Sequence, residues 1–314
     1  MPSRMQSVLD SAGVQAASIE WLWWLMFWVC TAVFVIVLGA LALAVRRGAS
    51  RDESRPSERH LFVGVTAALS VTVLVLFGLL YASVATGRAI GTRPGAEPLI
   101  VEITGLQWWW SIEYVDDAPS RRVTTANELH LPVGRPIVLN LSAIDVIHSF
   151  WVPNLHGKMD MVPGRLNTTW LQVDKEGIYR GQCAEYCGVQ HAHMGLVIVA
   201  EPADAFARWL DGQRHNAPEP ATPQQARGRE VVERGPCALC HTIRGTTAGG
   251  RTGPDLTHFA SRSTIAAATA PNTRDFLAEW IADPQHLKPG SRMPATGLSP
   301  SDLQAVIDYV ETLR

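Results

Sequence analysis

Residues 21–45 contain no charged side chain, and neither do residues 61–85. Each run is about 25 residues long, more than the ~20 a helix needs to cross a bilayer. Overall hydrophobic content, 47%, is ordinary; its concentration in these two runs is not. A cleaved signal peptide is the competing reading of the first run. Its length, its Trp-rich start and the lack of a small-residue cleavage site before Arg46 argue against that. Phe27-Trp-Val29 is too bulky for a lipid-attachment motif at Cys30, which reads as a packing or lipid-facing thiol. The connection between the runs holds Arg46, Arg47, Arg51, Arg55 and Arg59. Five arginines in a short loop place it in the cytoplasm and both chain ends outside, with Trp21, Trp23 and Trp24 at the outer interface.

From residue 96 onward the texture changes. Residues 99–104, 108–115, 137–142, 168–173 and 194–200 are rich in β-branched and aromatic side chains, separated by turn residues. That spacing predicts an antiparallel sandwich or barrel. Within it lies Cys183-Ala-Glu-Tyr-Cys187-Gly-Val-Gln-His191-Ala-His-Met194, with a further histidine upstream in Asp145-Val-Ile-His148. Thiolate, imidazole and thioether are soft or borderline donors that favour copper over hard cations. Two cysteines four apart can bridge two metal ions, capped by histidines and a methionine. A Cys183–Cys187 disulfide with incidental histidines is the alternative.

These motifs, with Gln107-Trp-Trp-Trp110 and Val162-Pro-Gly-Arg-Leu166, resemble those of subunit II of haem–copper cytochrome c oxidases over nearly all of the chain before residue 210. The resemblance implies a cupredoxin-like Greek-key barrel carrying a binuclear copper centre (CuA). Its ligands would be His148, Cys183, Cys187, His191, Met194 and the carbonyl of Glu185. The Glu185 carboxylate would reach a magnesium ion at the border with subunit I. Trp108 would lie on the surface over the copper pair as the point of electron input. Family spacing assigns the ligand role to His191 rather than His193, and His130 and His156 read as surface or packing residues.

Residues 211–225 read as a semi-extended, Pro-rich tether. Then Cys237-Ala-Leu-Cys240-His241 forms a c-type haem attachment motif, with His241 as proximal ligand. A redox dithiol or half a zinc site would need a βαβ setting or a second cysteine pair, and neither follows. Residues 224–233 and 299–313 read as helices, the latter capped by Ser299 or Ser301. Thr252-Gly-Pro-Asp-Leu256 resembles the loop beside the proximal histidine in small cytochromes c. Met293 is the only methionine after His241. It sits in Lys288-Pro-Gly-Ser-Arg-Met, a loop type that presents the distal ligand in class I cytochromes c; His258 and His286 are its rivals.

The expected architecture is a multidomain membrane protein. Its parts are an extracytoplasmic segment (1–20), a transmembrane helical hairpin (21–90), an all-β cupredoxin-like CuA domain (96–210), a linker (211–225) and an all-α class I cytochrome c domain (226–314). Residues 96–210 hold 8 basic and 13 acidic residues, net −5, and residues 226–314 hold 10 and 9, net +1. An acidic copper domain suits a cationic donor. No basic, aromatic-interleaved patch points to nucleic acid. The resemblance implies a cytochrome-c oxidase subunit in a bacterial inner membrane, with its copper and haem domains on the periplasmic side. Electrons would run from cytochrome c, or a cytochrome bc complex, through haem c and CuA to subunit I, with subunit III a further partner. Oxygen reduction and proton translocation would take place in subunit I. The electron-input subunit of a nitric oxide reductase, or a membrane-anchored copper and haem carrier, are the alternatives.

Overall fold

The computed structural model describes residues 5–48, 57–92, 95 and 97–314. Arg51 and Arg55 of the basic connection lie outside them. Two long helices come first, α1 (Val14–Gly48, 35 residues) and α2 (Glu58–Gly91, 34 residues). Both are long and apolar enough to cross a membrane, and none of their most apolar 18-residue windows is buried. Phe34, Ile36, Leu74 and Phe77 are among the exposed side chains. So much contiguous exposed apolar surface is foreign to a water-soluble monomer.

Helix α1 starts seven residues before Trp21, because Val14-Gln-Ala-Ala-Ser-Ile-Glu20 contains no helix breaker. The residues ahead of it are not a free extracytoplasmic arm. Ala12 N–H donates to Asn154 O at 2.8 Å, Asp174 N–H to Ala12 O at 2.8 Å and Arg180 N–H to Met5 O at 2.7 Å. Gln15 is fully buried, its side-chain amide donating to Trp170 O.

The β domain comprises β1 (Leu99–Leu106), β2 (Trp109–Tyr114), β3 (Val123–Ala126), β4 (Glu128–Pro132), β5 (Ile137–Ala143), β6 (His148–Trp151), β7 (Met159–Met161), β8 (Asn167–Leu171), β9 (Gly177–Cys183) and β10 (Gly195–Glu201). They form two five-stranded sheets, ordered β3-β2-β1-β5-β8 and β4-β10-β9-β6-β7. The inward faces share one core that includes Val101, Ile103, Trp110 and Leu139 from the first sheet and Leu129, Phe150, Met161 and Ile198 from the second. Burial alternates along β1, β2 and β5, as expected for strands with one face on a core. The result is a cupredoxin-like sandwich. Pairing is not wholly antiparallel: β1 runs parallel to β5, and β10 parallel to β4. Both parallel pairs join strands distant in sequence, which local pattern does not reveal.

After α3 (Ala203–Gly212), the helical domain contains α4 (Pro223–Arg234), α5 (Cys237–Cys240), α6 (Arg274–Ala282), α7 (Pro284–Leu287) and α8 (Pro300–Val310). A short hairpin of β11 (Thr264–Ile265) and β12 (Ala270–Pro271) lies between α5 and α6. Thr222 and Gln225 form a capping box on α4, and Ser299 Oγ accepts from Asp302 N–H at the start of α8. A second core gathers Val232, Ile243, Phe259, Leu277, Ile281, Val306 and Tyr309.

Residues 211–225 are not a loose tether. Gln213 is buried, and its carbonyl accepts from the Arg244 guanidinium. His215 O accepts from His258 Nε2 at 3.1 Å, and Ala217 N–H donates to Arg244 O at 3.0 Å. Residues 213–222, between α3 and α4, form no helix, but their carbonyls find donors on the helical domain.

Helices α4 and α8 meet at Gly228. A Cβ there would lie 1.9 Å from Ala305 O. Gly228→Ala should therefore force the helices apart and destabilise this domain by ~1–3 kcal/mol, read as a lower guanidinium midpoint. Gly249→Ala, where a Cβ meets nothing within 4 Å, should leave the midpoint nearly unchanged.

Candidate metal and haem centres

Strand ends bring the soft donors together at one end of the sandwich. His148 opens β6, and Cys183 closes β9. The loop leaving β9 carries Glu185 and Cys187, then a 3-10 turn at His191–His193 delivers Met194 immediately before β10. Donor atoms of His148, Cys183 and Cys187 all lie within 4.8 Å of one another. The sulfurs of Cys183 and Cys187 are 3.8 Å apart, almost twice a disulfide bond of about 2.05 Å, and both thiols are free. Cys183 Sγ lies 3.9 Å from His148 Nδ1 and 3.1 Å from Glu185 O. Cys187 Sγ lies 3.6 Å from His191 Nδ1 and 3.8 Å from Met194 Sδ. All six groups singled out in the sequence therefore converge, and His148, Cys183, Cys187 and Met194 are buried.

Electrostatics within the cluster are set by two adjacent thiols and the groups around them. The two sulfurs share one hydrogen bond, which holds the Cys183 thiol down to about 3 and pushes Cys187 up. Burial reinforces the upward shift of Cys187, since a second thiolate beside the first would be uncompensated. Burial also opposes an imidazolium at His148, yet Cys183 and Asp145 hold it above the usual histidine range. Asp145, despite burial, is held below the usual carboxylate range by His148 and the Gln107 and Val146 amides.

A second layer of hydrogen bonds fixes the donors. His148 Nε2 pairs with Asp145 Oδ1 at 2.9 Å, which leaves Nδ1 facing Cys183. Asp145 is itself held by the amides of Gln107 (2.7 Å) and Val146 (2.8 Å). The Cys187 carbonyl accepts from Trp108 Nε1 at 3.0 Å and Gln107 Nε2 at 2.8 Å. Sequence reasoning missed Asp145 and Gln107 as supports; the Asp-x-x-His spacing was the available signal. A donor set of two thiols, two imidazoles, a thioether and a carbonyl fits copper, and closed hydrogen bonding suits retention of the ion.

Of the three tryptophans, Trp110 is buried and Trp109 half-buried, as alternation along β2 dictates, and Trp108, in the turn ahead of β2, is buried as well. The expected surface position of Trp108 is not observed. Its relative exposure is 9%: its side chain belongs to the sandwich core and lies beside Gly188, and Lys288 of the helical domain binds its carbonyl at 2.7 Å. His193 faces the same contact, its carbonyl accepting from Lys288 Nζ at 2.7 Å and its ring Nδ1–H donating to Gln190 Oε1 at 2.7 Å. His130 stacks on Trp209 at 4.0 Å between Glu128 and Glu201. Burial lowers the pKa of His156, whose ring meets Gly157 O. The Glu185 carboxylate is exposed and lines a cleft with Lys158, Asp160 and Arg165.

In the helical domain, Cys237 and Cys240 bracket the single turn α5, and His241 follows it. His241 Nδ1–H donates to Pro254 O at 2.7 Å, leaving Nε2 as the free donor atom. Burial, then the Arg262 guanidinium, depress the His241 pKa, so the ring stays neutral as a ligand must. A Cβ on Gly253 would lie 2.7 Å from the imidazole, so only glycine allows this loop against the ring. Two thiols and an oriented imidazole fit covalent haem. His258 is engaged with His215 O, and the exposed His286 with Glu279 at 2.6 Å. Met293 is half-buried, its carbonyl held by Gln285.

Residues 115–201 match the family profile described as cytochrome C oxidase subunit II, periplasmic domain, and residues 225–314 match cytochrome c. A cytochrome c oxidase subunit 2 of Alkalihalophilus pseudofirmus is 32% identical over 320 residues, covering 98% of this chain and 91% of that protein. A second, from Bacillus sp. (strain PS3), is 32% identical over 228 residues, 69% and 62% of the two chains. Among solved structures, the periplasmic domain of subunit II of cytochrome oxidase (CoxB) of Bradyrhizobium japonicum aligns at 33% identity with a TM-score of 0.36. It covers 39% of this chain and 97% of its own.

Asp145 generates a direct test. Asp145→Asn weakens the acceptor that orients His148 while preserving shape. Copper affinity measured by chelator competition should fall ~10–100-fold, with the near-ultraviolet circular dichroism of the sandwich unchanged. An unaltered affinity would show that Asp145 does not orient a ligand.

Proposed function

The chain belongs to the cytochrome c oxidase subunit II family, and from that premise we propose that it is the electron-input subunit of a membrane-bound terminal haem–copper oxidase. In this reading it takes electrons from cytochrome c, or a bc complex, at its own haem c. It relays them through a binuclear copper centre to subunit I, where oxygen is reduced to water with proton translocation. The convergence of His148, Cys183, Cys187, His191, Met194 and the Glu185 carbonyl at one sandwich end carries the reading. Bound copper and haem c supply one-electron chemistry; the protein supplies position, charge and exclusion of water.

His148 presents Nδ1, and the two thiolates provide shared negative charge for a pair of cations. The donors sit on strand ends and on a loop clamped by Trp108 and Gln107. Such anchoring limits movement between oxidation states, which keeps the barrier to electron transfer low. At the haem, Cys237 and Cys240 would form the thioether links, His241 Nε2 the proximal bond and Met293 the distal one. Methionine opposite histidine raises the potential, as an acceptor of electrons from outside requires. His258 and His286 are both occupied elsewhere, which supports Met293.

The exposed Glu185 carboxylate, with Asp160 in the same cleft, supports docking of subunit I there through a magnesium ion. Helices α1 and α2 would anchor the subunit in the bacterial inner membrane, the sandwich and haem domain standing on the periplasmic side.

Electron paramagnetic resonance of the oxidised protein should show a multi-line copper signal from one unpaired electron shared by two ions. Cys187→Ser should abolish it. A single-copper spectrum, or a native protein loaded with zinc, would overturn the binuclear assignment.

Met293→Ala should remove the near-red sulfur-to-iron band of the oxidised haem and lower its potential. Retention of that band would assign the distal position to another side chain.

A further inference from the structure

The two soluble domains touch through an unusual set of groups. Lys288 is 3% exposed, and its Nζ donates to Trp108 O (2.7 Å), His193 O (2.7 Å) and Ala266 O (3.1 Å). Two of these carbonyls belong to the copper domain and one to the haem domain. All three ammonium protons thus have acceptors, in geometry that water would otherwise have to supply. Burial draws the Lys288 pKa down to about 7, since carbonyl dipoles rather than a carboxylate face it.

The haem-domain acceptor lies in a turn that L-residues avoid. Ala266, Ala267 and Ala268 have φ of 53°, 60° and 57°, three consecutive alanines in the left-handed region. Each turns its carbonyl to a donor in the contact. Ala266 O meets Lys288, Ala267 O accepts from Gly195 N–H of the copper domain at 2.9 Å, and Ala268 O accepts from Arg180 Nη1 at 3.1 Å. A strained turn persists where surrounding bonds over-determine it. Nearby, Ser263 N–H and Oγ–H donate to Glu128 Oε2 at 2.9 and 2.5 Å, and Gln190 Nε2 donates to Pro289 O at 2.6 Å.

We propose that Lys288 and the turn at residues 266–268 form a clasp that seats the haem domain on the copper domain over Trp108, making Lys288 a positioning residue for electron transfer between them. The inference rests on the electron-relay reading above. Seated this way, Trp108, its indole bonded to the Cys187 carbonyl and its own carbonyl to Lys288, is closed to diffusible donors. Transfer then needs no domain search.

The test uses the full chain loaded with copper and haem. In the unaltered protein the amides of Gly195 and Ser263 should exchange slowly with deuterium, and photo-initiated haem-to-copper transfer should be first order and independent of added glycerol. Lys288→Met keeps the length and removes the donors. It should lower protection of Gly195 and Ser263, slow the transfer ~10-fold or more, and make it viscosity-dependent, with the haem and copper spectra unchanged. Arg180→Met, which frees the Ala268 carbonyl, should do the same to a smaller degree and serves if Lys288→Met does not fold. Rapid exchange at both amides in the unaltered protein, or unchanged protection and kinetics in the variants, would overturn the clasp. Slow exchange without any haem-to-copper transfer would instead overturn the relay and leave the clasp standing.

Discussion

Two buried sulfurs 3.8 Å apart cannot both carry full negative charge without a cation beside them. The copper end of the sandwich is organised around that constraint. The hydrogen bond between the two sulfurs lowers the pKa of Cys183 and raises that of Cys187, and His148 with backbone groups adds to the lowering at Cys183. With a cation both sulfurs can be thiolates. Asp145 accepts from Gln107, Val146 and His148, and the Cys187 carbonyl from Trp108 and Gln107, in a lattice that fixes the loop from outside the donor set. Pre-set donors reduce the reorganisation that metal binding and electron transfer would otherwise demand.

The haem domain uses the same device on a smaller scale. The ring of His241 is oriented by one carbonyl, Pro254 O, and crowded by Gly253 so that it has a single place to sit. Its core is separate from that of the sandwich, with Val306 and Tyr309 of α8 packed beside Val232 of α4. Residues 211–225 join the two domains but are themselves held by Arg244 and His258. A flexible tether would offer an effective concentration on the order of millimolar. A packed linker with further cross-domain bonds removes most of the search that such a concentration describes.

The cluster of soft donors was legible because five of the six fall within twelve residues, and chemistry at that spacing does not depend on knowing the fold. Haem attachment at Cys237, Cys240 and His241 was legible for the same reason. Strands with regular alternation, such as β1 and β5, were also visible. Strands β3, β4, β6, β7 and β9 were not, since they are short or, like β9, contain glycine, and long-range pairing rather than local pattern makes them strands. The cover over Trp108 was invisible for a related reason: its partner Lys288 lies 180 residues away. Likewise, residues 5–16 show no pattern of their own, and they are ordered by carbonyls and amides of the sandwich that the sequence cannot display.

Net charges of −5 and +1 suggest domains drawn together by their fields, yet the contact is built differently. Most cross-domain bonds run from Lys288, Gln190, Gly195 and Arg180 to main-chain carbonyls. The approach of opposite charges there, Arg292 to Asp145 at 3.6 Å, sets an exposed guanidinium against a largely covered carboxylate. Salt screens exposed ion pairs over about 8–10 Å and touches buried dipoles far less. A long contact with one exposed partner adds little stability in water, whereas a buried donor or acceptor left without its partner is costly. Specificity of the seat therefore lies in matching each buried donor to a carbonyl, with the long-range field left to act on mobile partners outside the chain.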